Sequence, residues 1–417
     1  MRAPHALLPE GGFDIDRLLA PEQAVAAFMA VLDPQPPARE AVALDDAWGR
    51  VLAREIVADA DYPSHERSTM DGFAVRCADT PGRLAIAGEV RMGHAPLGGL
   101  EAGTAWRIPT GGALPAGADA VVPIEDVCET TGSIDCGVTA VHANLTLRGD
   151  DMRAGVSIIE AARRIGAPEL GVLATLGVHT VDVFARPRIA IVSTGDELVA
   201  PHAPLAIGQV RDSNRYAIAG SLRALGATPV HFPKAPDEPQ ALRAIVAAAL
   251  EQCDAVVLTG GSSVGLRDFV PRMIAALGKP GVIVHGLKVK PGKPTVLGAV
   301  GAKPVIGLPG NPTSSLMILE AVVRPIVTAL TGARIDRAAA VEAIAEAAFP
   351  GRAGWTWFVP ATLRYEGSNT YARPLVLRSS HTSLLARAAG FVVVGETPPG
   401  VQAGERVSVR LFSSGGR

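Results

Sequence analysis

Ala255-Val-Val-Leu-Thr-Gly-Gly-Ser-Ser-Val-Gly265 is a short apolar run that breaks directly into a glycine turn, and Pro304-Val-Ile-Gly-Leu-Pro-Gly-Asn-Pro-Thr-Ser-Ser315 repeats the design fifty residues on. Both lead toward amphipathic stretches. That is the place where an open α/β sheet presents backbone N–H groups to an anion. The two loops, with Gly260, Gly261, Ser262, Ser263, Pro309, Gly310 and Asn311 as the candidate holders, read as a phosphate cradle. Between them lies Lys288-Val-Lys-Pro-Gly-Lys-Pro294, which its prolines keep out of a helix. Its Lys288, Lys290 and Lys293 are expected to direct at least one ammonium toward the anion.

From Arg186 onward, apolar strand candidates alternate with helices: Arg188 to Ser193, Asn214 to Leu225, Thr228 to Phe232, Gln240 to Gln252 and Ala255 to Leu258, closed by a helix from Thr313 to about Thr331. This alternation predicts a parallel, right-handed α/β sheet. Before it, Pro21 to Leu32 has the proline-led start and three-and-four apolar spacing of a helix, and about Val57 to Asp150 is a series of short β-type runs cut by Gly, Pro and Asp. Residues Asp151 to His179 read as helix-forming. Beyond Phe349 the texture is β again, while the alanine-rich Arg337 to Ala348 favours helix by propensity but stands where a β module begins.

At 417 residues the chain implies two to four domains. Its 39 basic against 41 acidic residues exclude the broad cationic surface that nucleic acid or an anionic membrane would require. The absence of a continuous apolar segment of about eighteen residues, and the Pro and acidic residues of the N-terminus, give a cytoplasmic location as the expectation. Cys77, Cys128, Cys136 and Cys253 lack C-x-x-C spacing, and the histidines lack partners at ligand spacing. Neither set predicts a metal site. The acids are more informative: Asp71, Asp150 and Asp151 sit in loops, while Asp196, Glu197, Asp237 and Asp268 follow strands or the first glycine loop and could share one crevice. Carboxylates beside phosphate repel it unless a cation bridges them, and Mg²⁺ is the simplest such ion. Local roles stay open for some: Asp212 and Asp237 can cap the helices that follow, and Asp71 can stabilise its own Asp-Gly turn.

Ser68-Thr-Met-Asp-Gly-Phe-Ala-Val-Arg76, Arg107-Ile-Pro-Thr-Gly-Gly112, Ser193-Thr-Gly-Asp-Glu-Leu198, Gly260-Gly-Ser-Ser-Val-Gly265 with Asp268, Lys290-Pro-Gly-Lys-Pro294 and Leu308-Pro-Gly-Asn-Pro312 occur in one order. The ordered set resembles the molybdopterin molybdenumtransferases of the MoeA and gephyrin E-domain type, from about Pro21 to the C-terminus. The resemblance implies a multidomain α/β plus β fold: a discontinuous helical linker (19–56 and 151–185), an inserted small β domain (57–150), a central MogA-like α/β domain (186–333) and a C-terminal β-barrel (334–417). It implies insertion of molybdenum from molybdate into adenylylated molybdopterin, with Mg²⁺-dependent release of AMP. Carried onto matching positions, Asp71, Thr110, Asp151, Glu197, Asp237 and Asp268 resemble the catalytic residues, Glu197, Asp237 and Asp268 among them the metal ligands. Lys290, Lys293 and Ser380 resemble residues that bind the cofactor precursor. A homodimer is implied, with Asp71 and Thr110 serving the partner's crevice, and with transient contacts to other cofactor-synthesis proteins. Phe73, Thr69 and Gly286 depart from common family residues, and Ser380 rests on the loosest match. The alternative is a catalytically inactive molybdopterin-binding or scaffold protein. Adenylylation of molybdopterin fits less well because its usual carrier is a single short domain, and a dehydrogenase lacks the G-x-G-x-x-G signature.

Overall fold

A computed structural model describes residues 18–260, 269–335, 338–375 and 382–413. The chain forms two compact units, Arg54–Ala161 with Pro168–His179, and the remainder. The smaller is built on a six-stranded sheet in the order Ala120–Pro123, Gly72–Val75, Thr104–Ile108, Gly82–Glu89, Ser133–Cys136, Val127–Thr130. Phe73, Val75, Leu84, Ala105, Val122 and Ile134 close one core on it. Gly72 lies between two partners in this sheet, and a Cβ there would run into the Val122 carbonyl oxygen. The glycine that follows Asp71 is therefore demanded by strand packing.

The stretch expected to be helical from Asp151 to His179 is mostly not. It follows a turn at Gly149 and turns again at Gly155, both at positive φ, continues as the strand Ser157–Ile159 paired with Ile56–Val57, and is helical only over Ala167–Thr175. Glycines that need the left-handed region break the helix before propensity can act.

In the larger unit, Thr228–His231, Arg188–Ser193, Ala255–Thr259 and Lys303–Leu308 pair in parallel in that order. Two strands absent from the sequence reading, Val296–Val300 and Pro280–His285, extend the sheet antiparallel. The sheet is therefore mixed, with a parallel core. Side chains alternate across it as a two-residue period requires: Ile189 and Ile191 join the core beneath helices Asn214–Ala224 and Pro21–Leu32, whereas Ala190 and Val192 join the opposite core with Pro239–Gln252 and Phe269–Leu277. The helix Pro312–Leu330 is long and apolar enough to cross a membrane by composition. Here Met317, Ile318, Leu319, Val322, Val323, Ile326 and Val327 are spent on the first core.

The last module is a closed ring of five strands: Thr356–Glu366, Asn369–Pro374, Ala340–Ala345, Arg406–Leu411 and Gly390–Val394, the last pairing back to the first. Ala340–Ala345 is a strand despite its helix-forming composition. The core of the ring sets the small Ala343, Ala345, Ala361 and Ala372 beside Phe349, Val359, Val392, Val394, Val407 and Val409. Pairing on both sides and burial of alternate residues override propensity at this point. A sixth strand, Val289–Lys290, docks in parallel on Thr356 and Trp357. Elsewhere in the unit, Arg39–Ala43 pairs with Thr180–Phe184. Arg50, buried beside this ribbon, donates to the Phe184 carbonyl at 2.9 Å and pairs with Glu40.

Candidate functional site

In the parallel core the second strand in sequence, Thr228–His231, lies on one side of Arg188–Ser193, and the third, Ala255–Thr259, on the other. The chain therefore reverses direction of winding between Arg188–Ser193 and Ala255–Thr259, and an open α/β sheet forms its ligand crevice outside the carboxyl ends at such a point. A pocket of about 730 Å³ lies there. Thr194 and Thr259 stand at its base, with the Thr194 N–H donating to the Thr259 carbonyl at 2.8 Å. Gly260 has φ +108°, and a Cβ on it would collide with the Thr194 carbonyl oxygen, so the close approach of the two strand ends requires glycine.

Asn214 ties three lining segments together. Its buried side-chain amide donates to Thr259 Oγ1 at 3.0 Å and to the Gly310 carbonyl at 2.7 Å. Two helices begin at the pocket, Asn214–Ala224 and the one opened by Asn311 and Pro312, so their positive dipole ends face the same space. Gly310, Asn311 and Gly260, expected as phosphate holders, all line it. Pro309 is not among the lining residues, and Gly261, Ser262, Ser263, Asp268 and Ser380 lie outside the described residues.

Glu197 and Asp237, from different loops, line the pocket together. Asp196 holds those loops in register, its carboxylate accepting from the Asp237 N–H at 3.3 Å. Lys234 reinforces the same contact by donating to the Asp196 and Leu198 carbonyls at 3.4 and 3.0 Å. Asp237 does not cap the helix Pro239–Gln252, which has no side-chain cap. Asp212 does cap, accepting from the Arg215 N–H at 3.1 Å. Among the described residues no three His, Cys, Asp or Glu side chains are grouped to hold a metal.

The lysine segment is placed differently from the expectation. Lys290 belongs to the strand docked on the barrel, with its ammonium 4.3 Å from the centre of the Trp357 ring, and Lys288 pairs with Glu396 at 3.7 Å. Neither these nor Lys293 lines the pocket. The backbone pairing of Val289 and Lys290 with Thr356 and Trp357, which no local pattern announces, takes them there. Sequence reasoning also passed over Thr194, Asn214, Arg211 and Lys234. Asn214 could have been suspected from its place one residue after Asp212-Ser213, where a helix start faces the strand ends.

In the smaller unit, Asp71 and Thr110 meet. Thr110 donates its backbone N–H at 2.6 Å and its hydroxyl at 2.9 Å to the same Asp71 oxygen. These bonds, the backbone one foremost, hold the Asp71 carboxyl below the usual carboxylate range against a small opposing effect of desolvation. Asp71 does not serve its own turn, as the alternative had it. Asp151 is exposed, with its N–H donating to the Tyr62 carbonyl at 3.2 Å. The cysteines are unbonded to one another, and burial followed by a hydrogen bond with Asp119 pushes the Cys77 thiol up to about 11.

Residues 19–177 match the MoeA N-terminal region (domain I and II), 190–329 a probable molybdopterin binding domain, and 342–412 the MoeA C-terminal region (domain IV). A molybdopterin molybdenumtransferase of Bacillus subtilis is 32% identical over 386 residues, 89% of this chain and 90% of its own length. The chain belongs to the molybdopterin molybdenumtransferase (MoeA) family. A second relative of that name, from Nostoc sp., is 35% identical over 301 residues, 69% of each chain. Among solved structures, a molybdopterin biosynthesis MoeA protein of Pyrococcus horikoshii matches with a TM-score of 0.82 at 25% identity, over 95% of this chain and all of that one. The family resemblance drawn from the ordered loops is thereby confirmed, and with it the multidomain fold of α/β sheet, small β domain and barrel.

Proposed function

We propose that this chain inserts molybdenum from molybdate into adenylylated molybdopterin and releases AMP, the last step of molybdenum cofactor synthesis. The observation that carries the proposal is the pocket at the reversal point of the sheet, where two helix N-termini and a glycine-permitted backbone face Glu197 and Asp237. N–H groups of that kind hold phosphate oxygens, and a site that must orient an anhydride needs little other machinery.

Glu197 and Asp237, acidic oxygen donors on one pocket lined also by Thr194, suit a hard cation. With Asp268, the third residue expected for this role, they would hold Mg²⁺, which when bound neutralises phosphate charge and polarises the anhydride. Asp196 and Lys234 fix the loop that carries Glu197. Asp71, kept ionised by Thr110, supplies a further carboxylate, and in our reading it reaches the crevice of the partner subunit in a homodimer. Lys290 and Lys293, which do not line this pocket, then serve the molybdate or pterin end of the reactants, together with Ser380. Asp151 stays with the site on the strength of its match to the family alone. The protein works in the cytoplasm, in transient contact with other proteins of the same synthesis.

The test is incubation of the purified protein with adenylylated molybdopterin, Mg²⁺ and molybdate. AMP release that depends on molybdate is expected, with Glu197→Ala and Asp71→Ala each slowed roughly 100-fold or more while melting like the parent protein. Tight binding of the adenylylated substrate without any AMP formed would favour a scaffold instead.

A further inference from the structure

The 730 Å³ pocket is lined by three carboxylates, Glu197, Asp212 and Asp237, and among the described residues by a single basic side chain, Arg211. The neighbouring cations are engaged elsewhere. Lys234 donates to the carbonyls beneath Glu197, Lys290 stands on Trp357, and Lys288 pairs with Glu396. Helix N-termini contribute partial charges, which fall off within a turn. Among the described lining residues, a phosphate ester entering next to three acids therefore meets one full positive charge, and it is on Arg211.

The position of that charge is specific. Arg211 ends the short strand Val210–Arg211, paired in parallel with Leu198–Val199, so the residue is tied by backbone to the loop carrying Glu197. Its Nη2 donates to the Ala203 carbonyl at 3.1 Å. The guanidinium thus stands on the loop between the two strands, whose Leu205 and Gln209 also line the pocket. One Nη2 hydrogen bond leaves the rest of a planar fork of five donors, the shape that matches two phosphate oxygens at once. The loop itself presents Leu205 and Ile207 to solvent, 49% and 107% exposed, so its apolar residues have not found a partner in the single chain.

We propose that Arg211 is the phosphate-gripping residue of this pocket and selects substrates carrying an anionic phosphate ester over the uncharged nucleoside. The assignment rests on the reading of the pocket as a nucleotide site. It makes Arg211 a binding residue, and through its bond to Ala203 a device that draws the 200–209 loop onto the bound phosphate.

The experiment uses the full chain and compares AMP with adenosine by titration calorimetry in excess Mg²⁺, for the parent protein, Arg211→Gln and Arg211→Lys. AMP should bind the parent more tightly than adenosine. Arg211→Gln should lose about tenfold or more in AMP affinity, the size of a charge-assisted hydrogen bond, with adenosine affinity unchanged. Arg211→Lys should fall between, since it keeps the charge and loses the fork. Equal AMP affinity in the parent and Arg211→Gln, or equal loss for AMP and adenosine, overturns the inference, as does a parent protein that binds the two ligands alike. If Arg211-dependent AMP binding is found in a protein that releases no AMP from adenylylated molybdopterin, the inference stands and molybdenum insertion is what falls. Arg211 is exposed, and thermal melting of both variants separates a folding defect from a lost contact.

Discussion

Asp71 illustrates how much of a carboxylate's behaviour comes from a single neighbour. Its two bonds from Thr110 favour the charged form, so its proton is taken up only as pH falls below the ordinary Asp range, and any stabilisation tied to the charge is present above that range and lost beneath it. Thr110→Val removes the hydroxyl and keeps the stronger backbone donor. The Asp71 titration, followed by carboxyl carbon NMR, should move part of the way up toward the ordinary value and no further, while a return all the way would show that the backbone bond does not hold. The pairing itself was within reach of the sequence only as two separate loops. Ser68 to Arg76 and Arg107 to Gly112 each read as turns, and what joins them is the antiparallel pairing of Gly72–Val75 with Thr104–Ile108, a long-range choice.

Among the elements, the barrel shows tertiary pairing deciding conformation. Ala340–Ala345 has the composition of a helix and forms a strand because it pairs with a strand on each side and buries Ala343 and Ala345 in the close-packed core of the ring. Ala372, fully buried on a neighbouring strand, should resist enlargement: Ala372→Leu is expected to cost about 1–3 kcal/mol of unfolding free energy in urea, with the slope of the transition unchanged. A change of less than a few tenths would mean that the barrel interior has room to spare. The helices of the α/β sheet were easier to read, since Pro21–Leu32, Asn214–Ala224 and Pro239–Gln252 carry their apolar spacing openly, the first and last with a proline start as well. Their boundaries differ from expectation by a residue or so. The strands Pro280–His285 and Val296–Val300 escaped notice because the glycine and lysine segments around them dominated the reading, and short apolar runs near glycine carry little periodicity of their own.

For the whole molecule, the reading of a shared site makes a prediction that no single chain can satisfy alone. Asp71→Ala and Glu197→Ala disable residues from the two different compact units, so if the units act across a homodimer, each variant is inactive alone and a co-expressed mixture recovers activity, because some mixed dimers contain one intact site. Recovery measured as molybdate-dependent AMP release supports the shared site. A mixture as inactive as its components would place both residues in one subunit's site. The family and the identity of Glu197 and Asp237 as pocket residues were legible from residue types, because glycine turns, proline starts and apolar alternation are local properties. Where the positive charges went was not. Lys290 was drawn to Trp357 by a strand pairing spanning more than sixty residues, and Arg211, unremarked among loop residues, stands on the pocket wall as the basic group among the described lining residues. Local pattern tells which backbone can turn and which can run straight. The packing of distant segments settles which side chains share a cavity, since a charge acts through space and finds its neighbours only once the chain has closed.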